Sequence, residues 1–165
     1  MPGIYCAQLN CARYNECVTD HSQLALDSQL CFPLYAATRA VTKSYATLLA
    51  DEGLTYPQYL TLLALWGAEE PPTVGDLGKR LRLDSGTLTP LLKRLEAMGH
   101  VVRRRDPTDE RRVLVQVTDE GWALRERVAH VPEALISSMG IGTTEARQLR
   151  TILGRIIAVL DERAP

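Results

Sequence analysis

Leu83-Asp84-Ser85-Gly86-Thr87-Leu88-Thr89-Pro90-Leu91-Leu92-Lys93-Arg94-Leu95-Glu96 decides the fold of this chain. Leu88, Leu91, Leu92 and Leu95 recur at three and four, so they line one face of a helix, and Gly99 closes it. Upstream, Thr73-Val74-Gly75-Asp76 has capping-box spacing and starts a shorter helix that carries Leu77 and Leu81 inward. Two short helices around a tight turn predict a helix-turn-helix. Pro90 removes a backbone donor, so the second helix either starts late or bends there.

Downstream, Val101-Val102-Arg103-Arg104-Arg105 and Val113-Leu114-Val115-Gln116-Val117 are β-prone. They flank the turn-rich Asp106-Pro107-Thr108-Asp109-Glu110-Arg111. Val113, Val115 and Val117 alternate, which buries one face and predicts a two-stranded wing. Thr118 caps a helix through Trp122, Leu124 and Val128, with a bend at Pro132. Gly140 and Gly142 separate it from a last helix, Thr144 to about Glu162, with Leu149, Ile152, Leu153, Ile156 and Leu160 inside.

Toward the N-terminus, Leu30, Leu34, Ala37, Val41, Tyr45, Leu48 and Leu49 form a helical stripe from Ser28 to about Asp51. Gly53 ends it. Thr55-Tyr56-Pro57-Gln58 starts the next helix, with Thr capping, Pro in the first turn and Gln three residues on. That helix runs through Leu60, Leu63 and Trp66 to Pro71-Pro72, which stop it. Residues 1–26 show no clean periodicity, hold three of the four cysteines, and read as an extension.

The 165 residues suffice for one domain with an extension, and 45% hydrophobic residues allow a real core. No apolar run approaches the ~18 residues of a membrane span. Met1-Pro2-Gly3-Ile4-Tyr5-Cys6 lacks the basic and apolar regions of a signal peptide. A cytoplasmic location is expected, where thiols are kept reduced and a conspicuous cysteine is more often reactive than stapled.

Net charge is −1, yet Thr73 to Arg112 holds ten Lys/Arg against six Asp/Glu, a local excess of four positive charges. A basic stretch on an otherwise acidic protein fits a dedicated face for double-stranded DNA. A winged helix-turn-helix puts its second helix in the major groove and its hairpin at the adjacent minor groove. Ser85, Thr87 and Thr89 are short hydroxyls suited to phosphates or base edges. Lys93 and Arg94 can neutralise phosphate, Arg111 sits at the wing tip, and Arg104 and Arg112 flank it. The plainer alternative is that the hydroxyls only cap a helix and the arginines are solvated.

The order helix, helix, short helix, recognition helix, wing with Asp109-Glu110-Arg111-Arg112 and two C-terminal helices resembles the MarR family. Leu83 to Arg94, Leu30-Cys31-Phe32 and Tyr56-Pro57-Gln58-Tyr59 resemble its organic-hydroperoxide-sensing OhrR branch, and the likeness covers roughly residues 28–162. It implies a mainly α fold with a small β-wing and a homodimer that represses genes by binding palindromic operators. The resemblance places a DNA-binding core at about 55–118 within a domain of 27–165. It puts dimerisation helices at about 28–52 and 119–162. The arginine matching Arg111 enters the minor groove in that family.

Cys31 opens Leu30-Cys31-Phe32-Pro33-Leu34-Tyr35 near a helix start, where exposed amides favour the reactive thiolate. Asp27 and Ser28 are candidate caps. An organic peroxide would oxidise this sulfur to a sulfenic acid, which condenses with another thiol or a backbone nitrogen. Tyrosines can bond the thiolate while their rings form an apolar pocket. Tyr35 lies one turn away. Tyr45 is fourteen residues on, roughly 21 Å along an unbroken helix, out of reach in the same chain. In the resembling family, tyrosines matching Tyr45 and Tyr56 reach the cysteine from the other subunit. The competing reading of Cys31 is an inert, buried small hydrophobe.

No cysteine follows Cys31. Some members of the resembling branch carry a second, resolving cysteine toward the C-terminus. By that resemblance this chain looks like the single-cysteine type, which ends as a mixed disulfide with a low-molecular-weight thiol. Cys6, Cys11 and Cys17 are candidate resolving thiols. With His21 they also form C-x4-C-x5-C-x3-H, an irregular zinc pattern; no metal or cofactor is expected. Two other functions compete: a MarR-type repressor released by a small aromatic ligand, and a thiol peroxidase using Cys31. The absence of a CxxC pair and the presence of a DNA-reading module disfavour the enzyme.

Overall fold

The structure, a computed structural model of one chain, describes residues 24–162. The chain divides into two compact units, between Thr42 and Lys43. In the first, a 3-10 turn at Leu26–Ser28 precedes helix α1, Cys31–Leu48. Asp27 and Ser28 belong to that turn, where the backbone N–H of Ser28 bonds the Ala25 carbonyl at 3.0 Å. They do not cap α1, which corrects the expected cap. Cys31 is nevertheless the first residue of the helix. Thr38 bonds back to the Leu34 carbonyl at 2.9 Å, the usual way a mid-helix hydroxyl is satisfied.

The second unit begins in the last turns of α1, where Tyr45 is buried, as is Leu49 just past the helix end. A 3-10 turn at Ala50–Glu52 ends in Gly53, whose φ of +63° reverses the chain. Helix α2, Tyr56–Trp66, starts as expected, with the Thr55 N–H donating to Gln58 Oε1 at 2.8 Å. It ends at Gly67, five residues before Pro72, because the Gly67 N–H closes the last turn on the Leu63 carbonyl. Tyr59, Leu62, Leu65 and Trp66 are buried, whereas Leu63 is exposed and Leu60 half-buried.

Helix α3 (Val74–Leu81) and helix α4 (Ser85–Ala97) make the helix-turn-helix. Thr73 and Asp76 close a capping box on α3, and Asp84 caps α4. The cap puts the start of α4 at Ser85, so Pro90 sits inside the helix, and of the two expected alternatives the late start is excluded. Leu88, Leu92 and Leu95 are fully buried with Leu77, each contributing about 1.5–3 kcal/mol by burial.

Strands β1 (Val101–Arg105) and β2 (Val113–Val117) pair antiparallel, Val101 opposite Val117 and Arg105 opposite Val113. The other edge of β2 meets the segment before α3: the Val115 N–H donates to the Pro72 carbonyl at 2.9 Å. That bond fixes the wing to the first helix of the motif. Helix α5 (Asp119–Arg127) is capped by Thr118, which accepts from the Gly121 N–H at 3.0 Å. The chain then breaks at Val128–His130, and a separate helix α6 (Val131–Ser138) carries Pro132 in its first turn. A break replaces the expected bend, since proline favours a new N-terminus.

Helix α7, Thr143–Glu162, buries no residue. Leu149, Ile152 and Leu160 are exposed, Leu160 at 61%, and Leu153 and Ile156 are half-buried. The expected interior stripe is therefore an uncovered apolar face. Among the described residues no helix is long and apolar enough to cross a membrane.

Candidate DNA interface and thiol site

Helix α4 presents its polar side outward. Ser85, Thr89 and Lys93 fall four apart on one stripe, away from Leu88, Leu92 and Leu95. Ser85, Lys93 and Arg94 are exposed and Thr89 is half-buried. Thr87 is engaged in the cap: its N–H donates to Asp84 Oδ1 and its hydroxyl to Asp84 Oδ2, both at 2.9 Å. These bonds hold the Asp84 carboxyl below its usual range, the Thr87 backbone bond first. The capping reading thus holds for Thr87, while Ser85, Lys93 and Arg94 face solvent.

The wing tip is built by two aspartates. Asp106 Oδ1 accepts from the Thr108 N–H at 2.8 Å and from its hydroxyl at 2.6 Å, and Asp109 Oδ1 accepts from the Arg111 N–H at 3.0 Å. The Thr108 bonds, then the Arg112 charge, keep Asp106 ionised. Arg111 and Arg104 are exposed, and Arg112 lies 3.6 Å from Asp106. Arg103 is turned to another use. Its guanidinium grips Glu96, with Nε at 2.9 Å and Nη2 at 2.6 Å, tying β1 to α4. Sequence reading could not separate Arg103 from its neighbours, because Glu96 lies seven residues back with no periodic link to it.

The wing root is held by a close approach the sequence did not announce. The Trp66 Nε1–H donates to the Gly121 carbonyl at 3.0 Å. A Cβ on Gly121 would lie 2.2 Å from the His100 carbonyl oxygen, so α5 packs on the α4–β1 junction only through glycine.

Within the first unit, Cys31 is a free thiol, exposed on the single chain. Tyr35 follows one turn later, its hydroxyl accepting from Arg39 Nη1 at 3.3 Å, and Leu30, Phe32 and Leu34 are exposed. Within the second unit, Tyr45 stacks on Tyr56 and tilts against Tyr59, centroids 5.6 Å apart. Burial, then the neighbouring Tyr56 and Tyr59, pushes the Tyr45 phenol up to about 12. Burial raises Tyr56 as well. Both are neutral donors at physiological pH. Cys6, Cys11, Cys17 and His21 lie outside the described residues. Among the described residues no group of three or more His, Cys, Asp or Glu is placed to hold a metal.

Comparison with known proteins agrees with this architecture. Residues 43–128 match the family model for the transcriptional regulator SarA/Rot. The chain is 50% identical over 140 residues to the HTH-type transcriptional regulator TtmR of Methylorubrum extorquens, covering 85% of this chain and 71% of that one. It is 42% identical over 144 residues to the organic hydroperoxide resistance transcriptional regulator of Bacillus subtilis, covering 87% and 96%. The structure of reduced AbfR bound to DNA, a Staphylococcus epidermidis protein, superposes with a TM-score of 0.73 at 36% identity, over 87% of this chain and 97% of that one. A capped recognition helix, a hairpin wing anchored on it, and relatives of this similarity over most of the sequence have one meaning: the chain belongs to the SarA/Rot and MarR family of winged-helix transcriptional regulators.

Proposed function

We propose that this regulator is a homodimeric, cytoplasmic repressor that binds palindromic double-stranded DNA and releases it when an organic hydroperoxide oxidises Cys31. The observation that carries the reading is the exposed thiol at the first residue of α1, in a chain that also holds a complete winged helix-turn-helix. The likeness to a Bacillus regulator of organic hydroperoxide resistance supports it. So does AbfR, which was solved bound to DNA in both reduced and overoxidised forms.

DNA reading falls to Ser85, Thr89, Lys93 and Arg94 on α4 and to Arg104, Arg111 and Arg112 on the wing, with Thr87 holding the helix start. The Cys31 thiolate attacks the distal oxygen of the hydroperoxide. The O–O bond breaks, the leaving alkoxide takes a proton from solvent and departs as an alcohol, and the sulfur becomes a sulfenic acid. A low-molecular-weight thiol then displaces the sulfenic hydroxyl as water and leaves a mixed disulfide. Cys6, Cys11 or Cys17 would substitute for that thiol as an internal partner. Tyr35 of the same subunit and Tyr45 and Tyr56 of the partner subunit would donate hydrogen bonds to the thiolate. The exposed apolar residues of α1 and α7 would be covered in the dimer, with dimerisation helices at about 28–52 and 119–162 around a reading core at about 55–118.

The test uses a labelled duplex selected from a random-sequence pool by the reduced protein. Binding is measured before and after a slight excess of cumene hydroperoxide with a small thiol, with Cys31→Ser alongside. Loss of binding in the wild type alone, restored by dithiothreitol, is the expected result. Retention of DNA by the oxidised wild type would make Cys31 structural and turn the search to small aromatic ligands.

A further inference from the structure

Helix α3 ends on Arg82 in the left-handed conformation, φ 57° and ψ 40°, where its N–H caps the helix on the Gly78 and Lys79 carbonyls. That seat normally goes to glycine or asparagine, because a longer side chain costs roughly 1–2 kcal/mol there. Arg82 is the one non-glycine residue with positive φ among the described residues. Its side chain is not idle. Both terminal nitrogens of the guanidinium reach the two carboxylate oxygens of Asp161, seventy-nine residues on. Asp161 lies in the last turn of α7, where a negative charge opposes the helix dipole, so helix stability does not explain it. Each residue is locally unfavourable, and the two meet in one two-pronged ion pair whose side chains are about half exposed.

We infer that Arg82 and Asp161 form a positioning strut that fixes the helix-turn-helix turn against the C-terminal helix. A two-pronged guanidinium–carboxylate pair sets orientation as well as distance. Leu83 and Asp84 lead directly from Arg82 into the recognition helix at Ser85, so the strut holds the point from which α4 starts. Its other end stands on α7, which buries no residue of its own and bears the exposed Leu149, Ile152, Val159 and Leu160. In a dimer joined through that face, the pair would set how far apart the two recognition helices stand, the quantity that must match half-site spacing. This inference rests on the DNA-binding reading above.

The rival role for Arg82 is a direct phosphate contact, in which Asp161 would be a competitor. Fluorescence anisotropy on the duplex selected by the wild type separates them, using the full chain with Asp161→Asn, Arg82→Asn and the exchange Arg82→Asp with Asp161→Arg. Asparagine keeps the left-handed cap and removes only the guanidinium. The strut predicts about two- to fivefold weaker binding for each single variant and recovery in the exchanged pair. The unfolding midpoint stays near wild type for Asp161→Asn. It is no lower than wild type for Arg82→Asn, whose asparagine suits the left-handed seat better. Asp161→Asn binding as tightly as wild type, or tighter, would overturn it, as would an exchanged pair no better than the singles. If the wild type selects no duplex, the DNA-binding reading falls first and the strut with it.

Discussion

The ring of Tyr45 lies flat against that of Tyr56, centroids 4.1 Å apart and planes 12° from parallel. The stack is both packing and chemistry, and two substitutions divide them. Tyr45→Phe keeps the ring and removes the phenol, which burial holds protonated up to about pH 12. Its stability in urea should stay within about 1 kcal/mol of wild type, whereas Tyr45→Ala should lose about 3 kcal/mol or more. If the phenol donates to the partner's Cys31 thiolate, Tyr45→Phe should also slow sulfenic acid formation severalfold, read by dimedone trapping. A wild-type rate would remove the hydroxyl from the sensor.

Much of this arrangement was legible in the chain. Thr55, Thr73 and Thr118 are short-range caps, and strands β1 and β2 begin and end where valine alternation and a charged turn place them. Some misreadings were local, at the Asp27–Ser28 cap and at the Pro132 break, and the rest concern what lies far away in sequence. The stripe on α7 has helical period, but period says only that a face is apolar, not which surface covers it. Arg103 looks like Arg104 until Glu96 is brought beside it. Trp66 and Gly121 are fifty-five residues apart, and no local rule pairs them.

The two kinds of wing arginine should separate in DNA binding. Arg111 is exposed at the tip, so Arg111→Ala should leave the unfolding midpoint unchanged. It should weaken binding and reduce the slope of log affinity against log salt by about one for each phosphate no longer neutralised. Arg103 is committed to Glu96, and that bond holds the Glu96 carboxyl below its ordinary range. Arg103→Ala should lower the midpoint and leave the salt slope as it is. A reversed pattern, read by anisotropy across a salt series, would exchange their roles.

Gly121→Ala tests the wing root. The added methyl would stand 2.2 Å from the His100 carbonyl oxygen and 2.7 Å from Val117 Cγ1. Backbone must move, and the Trp66 bond to the Gly121 carbonyl goes with it. The expected loss is about 2–3 kcal/mol in urea unfolding, with a shift in tryptophan emission. Near-wild-type stability would mean that α5 can slide off the α4–β1 junction at little cost.

His100 gives the stability of the second unit a pH dependence near neutrality. It is buried, its Nδ1 has no hydrogen-bond partner among the described residues, and burial holds its pKa below the ordinary 6.5. Glu120 opposes that shift, Arg127 adds to it and Glu52 opposes it more weakly. Because the folded value is depressed, the unfolded chain binds the proton first as pH falls. Stability is therefore full above 6.5 and declines as pH drops from there toward the folded value. The depressed carboxylates Asp76, Asp84, Glu96 and Asp106 contribute the same sign, but only below their own unfolded values near 4. Thermal unfolding between about pH 7.5 and about 5 isolates the imidazole. The wild-type midpoint should fall across that window and that of His100→Phe should be flatter, while equal slopes would place the titration elsewhere.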